Sequence, residues 1–95
     1  MTDAATPVER LTIPALLRRR ATDDGASRFL VTDDDALTYA ELDARTRAVA
    51  ETLVRAGAGK GSRVGLLMPN GIDWAVIGLG IMRSGAVLVP LSTFL

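Results

Sequence analysis

The chain's one lysine, Lys60, stands in the run Gly57-Ala58-Gly59-Lys60-Gly61-Ser62, and glycines followed by a lysine and a hydroxyl are the residue types that cradle nucleotide phosphates. Two features oppose that chemistry here. Gly61 follows the lysine where the motif needs Ser or Thr, and the flanking patterns run helix, loop, strand. A phosphate loop runs strand, loop, helix, so that amides at a helix N-terminus face the anion. A turn between helix and strand is therefore the expectation. Asp33, Asp34 and Asp35 offer carboxylates for a divalent cation or a shared proton. Three adjacent side chains do not converge on one ion without help from elsewhere, so a solvated turn is expected. Arg18, Arg19 and Arg20 have the charge to grip phosphate, but their expected place is the solvated last turn of a helix, where the dipole favours cations. Trp74 is expected to pack within an apolar helix rather than line a ligand pocket. With no cysteine and no histidine, disulfides, thiolate nucleophiles, imidazole bases and the usual zinc sites are excluded. No residue is assigned a catalytic, cofactor-binding or metal-ligating role.

The elements that carry these groups must come from 95 residues, enough for one domain at most, of which 48% are hydrophobic. The mean hydropathy of +0.26 is high for a small chain with an unfavourable surface-to-volume ratio. Eleven basic and eleven acidic residues cancel, leaving no broad field to attract nucleic acid or an anionic membrane. The opening MTDAATPVER has neither a basic start followed by an apolar core nor a small-residue cleavage site, so no export signal is expected and a cytoplasmic location is. In the apolar final third, Asp73 and Arg83 leave uncharged stretches shorter than the ~18 residues a membrane span needs.

Residues 1–10 read as a polar, loosely held lead-in. A first helix should begin near Thr12, which can cap it, with Pro14 tolerated in the first turn and Leu11 and Leu16 at the spacing of a hydrophobic staple; Gly25 should end it. Arg28 to Thr32 and Ala36 to Tyr39 read as two short strands joined by the acidic turn. Thr38-Tyr39-Ala40-Glu41 matches a capping box, so a second helix should start there and run to Gly57. Leu42, Val49, Ala50, Leu53 and Ala56 would form its buried stripe. Asp43, Arg45, Arg47, Glu51 and Arg55 would form its outer face, with Arg47 and Glu51 able to pair.

Val64 to Leu91 reads VGLLMPNGIDWAVIGLGIMRSGAVLVPL: a short apolar strand from Val64 stopped by Pro69, a helix capped by Asn70, a stop at Gly85, and a second strand from Ala86 to Val89. The strands should be parallel, joined by a right-handed crossover. Ile72, Ala75, Val76, Leu79 and Met82 make one apolar face of the helix, and Trp74, Ile77 and Ile81 another. Gly78 and Gly80 each lower helix propensity by about 1 kcal/mol relative to alanine, which predicts close packing of a neighbouring backbone. Neither strand alternates apolar with polar residues, so the unit asks for cover on every side, more than this chain is expected to supply. The fold class that follows is α/β, a partial parallel sheet with flanking helices.

Leu37 to Leu42 (LTYAEL), Gly61 to Val64 (GSRV), Met68 to Asn70 (MPN) and Gly85 to Leu91 (GAVLVPL), in this order and spacing, resemble the N-terminal part of the large domain of the adenylate-forming (AMP-binding) superfamily. The Pro69-Asn70 pair and the ending Pro90-Leu91-Ser92-Thr93 are more similar to its acyl-CoA synthetase branch than to peptide-synthetase adenylation domains. Ser62 departs from the aspartate usual in its loop, a turn position with no catalytic part. The resemblance implies an AMP-dependent ligase of fatty-acid metabolism that joins a carboxylic acid to ATP, forming an acyl adenylate and pyrophosphate. It then passes the acyl group to coenzyme A, with Mg2+ accompanying the ATP. The family's phosphate loop, metal-binding acidic residue, acyl pocket and catalytic lysine have no counterparts here, and Lys60 matches none of them. The chain alone is therefore expected to bind no cofactor and to be inactive.

Residues 11–95 are thus read as the N-terminal portion of a synthetase domain, truncated at its C-terminus directly after a core strand. Its partner would be the remainder of that domain, with self-association through exposed apolar surface as a second consequence. The alternative is a small non-enzymatic interaction module docking through its apolar helix and strand edge.

Overall fold

The computed structural model describes residues 12–91. The expected lead-in, the Leu11 half of the first staple and residues 92–95 lie outside them. Thr12 caps α1 (Ile13–Asp24), its hydroxyl accepting from the Ala15 N–H at 3.2 Å, with proline in the first turn. Two short antiparallel strands follow, β1 (Arg28–Val31) and β2 (Ala36–Thr38), paired with one irregularity between Arg28 and Leu30.

Thr38 ends β2 and caps α2 (Tyr39–Arg55) with no residue between. Both halves of the capping box form: Glu41 N–H donates to the Thr38 hydroxyl at 3.1 Å and Thr38 N–H to the Glu41 carboxylate at 2.9 Å. The next two free donors of the helix start are used as well, Tyr39 N–H on the Ser27 carbonyl and Ala40 N–H on the Gly25 carbonyl, each at 3.0 Å. A turn leads to β3 (Arg63–Leu66), then α3 (Ile72–Arg83) and β4 (Val87–Pro90), with β3 and β4 parallel in the register Arg63↔Val87 to Leu66↔Pro90.

Three local expectations give way to geometry. β3 covers Arg63–Leu66 rather than Val64 to Met68, because its last partner is Pro90, after which Leu91 N–H donates back to the Leu66 carbonyl and closes the ladder. α3 is capped by Gly71, not Asn70, and no side chain caps it. α1 continues four residues past Arg20, held by the Thr22 hydroxyl on the Arg18 carbonyl and an Arg20–Asp24 pair at 2.9 Å. The arginine triplet therefore lies mid-helix, and Asp23 and Asp24 occupy the last turn. Gly25 does end α1, and Gly85 supplies a left-handed stop after α3 at φ 92°.

α3 separates two apolar clusters. On one side Leu17, Leu37, Leu42 and Val76 are buried, with Ile72 and Leu79 packed against them. On the other, Leu66, Ile81 and Ala86 are buried against Trp74, Ile77 and Leu88. The two apolar faces read from the sequence are thus both used: Val76 and Ile81 are buried, while Ile72, Trp74, Ile77, Leu79 and Met82 are half-buried. The shortage of cover is greatest on the sheet. Val64, Leu66 and Leu88 turn toward α3, whereas the opposite face carries Val87, 54% exposed, with Val89 and Leu91 also open.

At Gly80 a Cβ would lie 2.5 Å from Val49 Cβ and 3.3 Å from the Thr46 carbonyl, so α2 sits where only glycine admits it. At Gly78 it would meet Leu88, Trp74 and Leu66 side chains at 3.6 to 3.7 Å, ordinary contact, so the close approach expected at both glycines exists at one. Gly80→Ala is expected to destabilise the chain by about 1–3 kcal/mol through overpacking. Gly78→Ala is expected to be neutral or to gain up to about 1 kcal/mol from helix propensity. Urea denaturation midpoints of the two variants measure the difference.

Candidate functional site

The segments with chemistry-bearing residues fall in separate places. In the Gly57–Ser62 segment the Ser62 N–H donates to the Gly59 carbonyl at 2.9 Å and the Gly59 N–H to the Ser62 hydroxyl at 3.1 Å, a self-contained turn with Lys60 exposed. It joins the end of α2 to β3, so a strand and not a helix follows it. Asp33 to Asp35 form the β1–β2 turn. The Thr32 hydroxyl receives the Asp35 N–H, and the Asp35 carboxylate receives the Ala36 N–H at 2.7 Å, which directs that carboxylate into its own turn. Among the described residues no three carboxylates are grouped to hold a metal ion. Of the arginine triplet, Arg20 stacks 4.9 Å over the Tyr39 ring, beside its pair with Asp24, and pins α1 to the start of α2.

The cleft best placed for binding opens at the carboxyl end of β3, where ligands of parallel sheets gather. It has a volume of about 420 Å3 and is lined by Thr32 and Asp35 from the hairpin turn, Arg45 from α2, Met68 and Asn70 from the loop after β3, and Trp74 from α3. Trp74 thus packs on the Leu66 and Ile81 cluster, as expected, and also borders this cleft. Arg45 reaches Asp73 at 3.2 Å across its rim, both side chains exposed. With two carboxylates to one guanidinium and a wide mouth, the cleft does not suit a nucleotide's phosphates.

The strongest polar feature was not legible from the motifs. The Arg83 side chain is 7% exposed and donates to the Asp43 carboxylate at 2.6 Å, the Asp43 carbonyl at 3.1 Å and the Thr46 hydroxyl at 3.2 Å. Thr46, fully buried, in turn donates to the Leu42 carbonyl at 2.7 Å. Asp43 accordingly belongs inside the α2–α3 contact rather than on the outer face. It also takes the Arg47 guanidinium at 3.1 Å, so Arg47 pairs with Asp43 and not with Glu51. The signal was available in part: Thr46 lies midway between Leu42 and Ala50 on one helical row.

The kinship is decided by a match that takes in the parallel β3–α3–β4 unit together with α2. A family model for AMP-binding enzymes matches residues 17–95. The chain belongs to the AMP-binding enzyme family. It is 38% identical over 80 residues to the long-chain-fatty-acid–CoA ligase FadD13 of Mycobacterium tuberculosis, covering 82% of this chain and 16% of that protein. It is 33% identical over 90 residues to tyrocidine synthase 2 of Brevibacillus parabrevis, covering 95% of this chain and 2% of that one. In structure it is similar to the inhibitor-bound N-terminal domain of FACL13 from M. tuberculosis, with a TM-score of 0.80 at 37% identity over 88% of this chain and 22% of the other. The chain thus spans about a sixth of the CoA ligase it matches, and corresponds to an N-terminal segment of the adenylate-forming superfamily's AMP-binding domain.

Within that segment the Arg83–Asp43 pair is largely shielded from water, with side chains 7% and 16% exposed, and removing one partner strands a charge. Asp43→Ala is expected to cost about 3–5 kcal/mol. Arg47→Ala, at the exposed end of the same cluster, is expected to cost no more than about 1 kcal/mol. Chemical denaturation of both variants tests the ranking.

Proposed function

We propose that this chain is the opening α/β layer of an adenylate-forming acyl-CoA synthetase, an enzyme that activates a carboxylic acid with ATP to an acyl adenylate and passes the acyl group to coenzyme A. The observation that carries the reading is the combination of 38% identity to a fatty-acid CoA ligase with coverage of only 16% of it. A fatty acid is the substrate class that this kinship favours, and fatty-acid metabolism in the cytoplasm the setting. No helix among the described residues is long and apolar enough to cross a membrane.

In this reading the segment scaffolds rather than reacts. ATP, Mg2+ and coenzyme A are held by residues elsewhere in the domain, and no catalytic step is assigned to a residue of this chain. The sheet face that carries Val87, Val89 and Leu91 is where the remainder of the domain packs, since parallel strands are stable when both faces are covered. Without that cover the same face drives self-association.

Grafting residues 12–91 in place of the matching segment of the M. tuberculosis ligase FadD13 tests this. The chimera is expected to keep fatty-acid-dependent ATP–pyrophosphate exchange within roughly tenfold of the parent's kcat/KM, while the isolated chain shows none. A folded chimera without exchange, or exchange by the isolated chain, overturns the reading. The isolated chain is also expected to bind a hydrophobic dye and to sediment as oligomers, and Val87→Glu with Val89→Glu to reduce both.

A further inference from the structure

The loop between β3 and α3 contains the dipeptide Asn70-Gly71, and Asn70 is the sole side-chain amide of the whole sequence, which has no glutamine. Both residues are exposed. Gly71 has φ 155° and ψ −168°, a backbone region that residues with a Cβ rarely adopt, although a Cβ there would touch nothing within 4 Å. Conformation, not space, therefore demands glycine after the asparagine. Among the described residues the Gly71 N–H donates no hydrogen bond and the Asn70 carboxamide has no partner. The reacting nitrogen and the carbon it would attack are thus both unencumbered.

We propose that Asn70-Gly71 is a spontaneous modification site, at which the folded chain converts its only amide side chain to a carboxylate. This rests on the loop alone and not on the synthetase reading. The Gly71 amide nitrogen loses its proton to solvent base and attacks Asn70 Cγ. The N–Cγ bond forms, the Cγ–Nδ2 bond breaks, and ammonia leaves with a proton from solvent, giving a cyclic imide. Water then opens the ring at Cγ to give aspartate, or at the main-chain carbonyl carbon to give isoaspartate. The sum is one water consumed and one ammonia released, with no redox change. The product carries a new negative charge just before α3, whose first turn has no side-chain cap, so the aspartate form gains a favourable place against the helix dipole.

The other candidate dipeptide, Asp24-Gly25, is guarded. Asp24 is held by Arg20 at 2.9 Å, Gly25 is in the helical region, and its carbonyl is occupied by the Ala40 N–H. The contrast makes the proposal specific to one loop.

Incubating the full chain folded and urea-unfolded at mildly alkaline pH, with isoelectric focusing, peptide mass mapping and isoaspartyl methyl-labelling, tests it. The expected result is a single acidic species that maps to residue 70, gains isoaspartyl label there and not at residue 24, rises with pH, and is abolished by Asn70→Ser. Its rate in the folded chain should be within roughly tenfold of the unfolded rate. Conversion in the folded chain more than roughly tenfold slower than in urea means that the fold protects the loop, and overturns the proposal.

Discussion

A helix with no polar face to offer water sets the terms for everything around it. α3 turns Val76 toward the layer built from α1, β2 and α2, and Ile81 toward β3 and β4, each almost fully buried. Burying such a side chain contributes about 1.5–3 kcal/mol, and the helix needs that contribution from both sides. Glycine at position 80 lets α2 come close enough to provide one side. The crossover connection provides the other, since a strand leading into α3 and a strand leading out of it lie together beneath it. The single charge near its end, Arg83, is turned inward and answered by Asp43. The most apolar helix of the chain is therefore also fixed by an ionic contact, one that specifies which α2 residue it faces.

Much of this was legible because local chemistry and final packing agree. Thr12, Thr38 with Glu41, Gly25 and Gly85 mark starts and stops through hydrogen bonds and backbone freedom that act within a few residues. The two faces of α3 follow from helical periodicity alone. What misled were positions decided by distant partners. Asp43 reads as one more charge on a charged face, and only the arrival of Arg83, forty residues later, draws it inside. Asn70 is a good cap by type, yet the chain turns into the helix one residue later, at Gly71. Pro69 is a strand stop by type, but the end of β3 is set by where β4 runs out. No functional site was legible, and the fold keeps the chemistry-bearing residues apart: Lys60, the Asp33–Asp35 turn and Arg20 lie in separate places.

The sheet shows how position can supply a pattern that residue types lack. Its strands are apolar apart from Arg63, and burial alternates, with Val64, Leu66 and Leu88 inward and Arg63, Val87, Val89 and Leu91 outward. A sequence that seems to lack alternation thus acquires it from position. In the proposed reading the outward set is the surface on which a larger domain continues.

The join between β2 and α2 carries a mechanical meaning. One threonine closes the strand and opens the helix, and the carbonyls that receive the next two amides belong to Gly25 and Ser27, just past the first helix. Hairpin, first helix and second helix are soldered at a single knuckle with no slack. An inserted residue at that knuckle would rotate α2 by about 100° and swing its buried row out of line. Evolution can lengthen or decorate this architecture at its other bends far more freely than here.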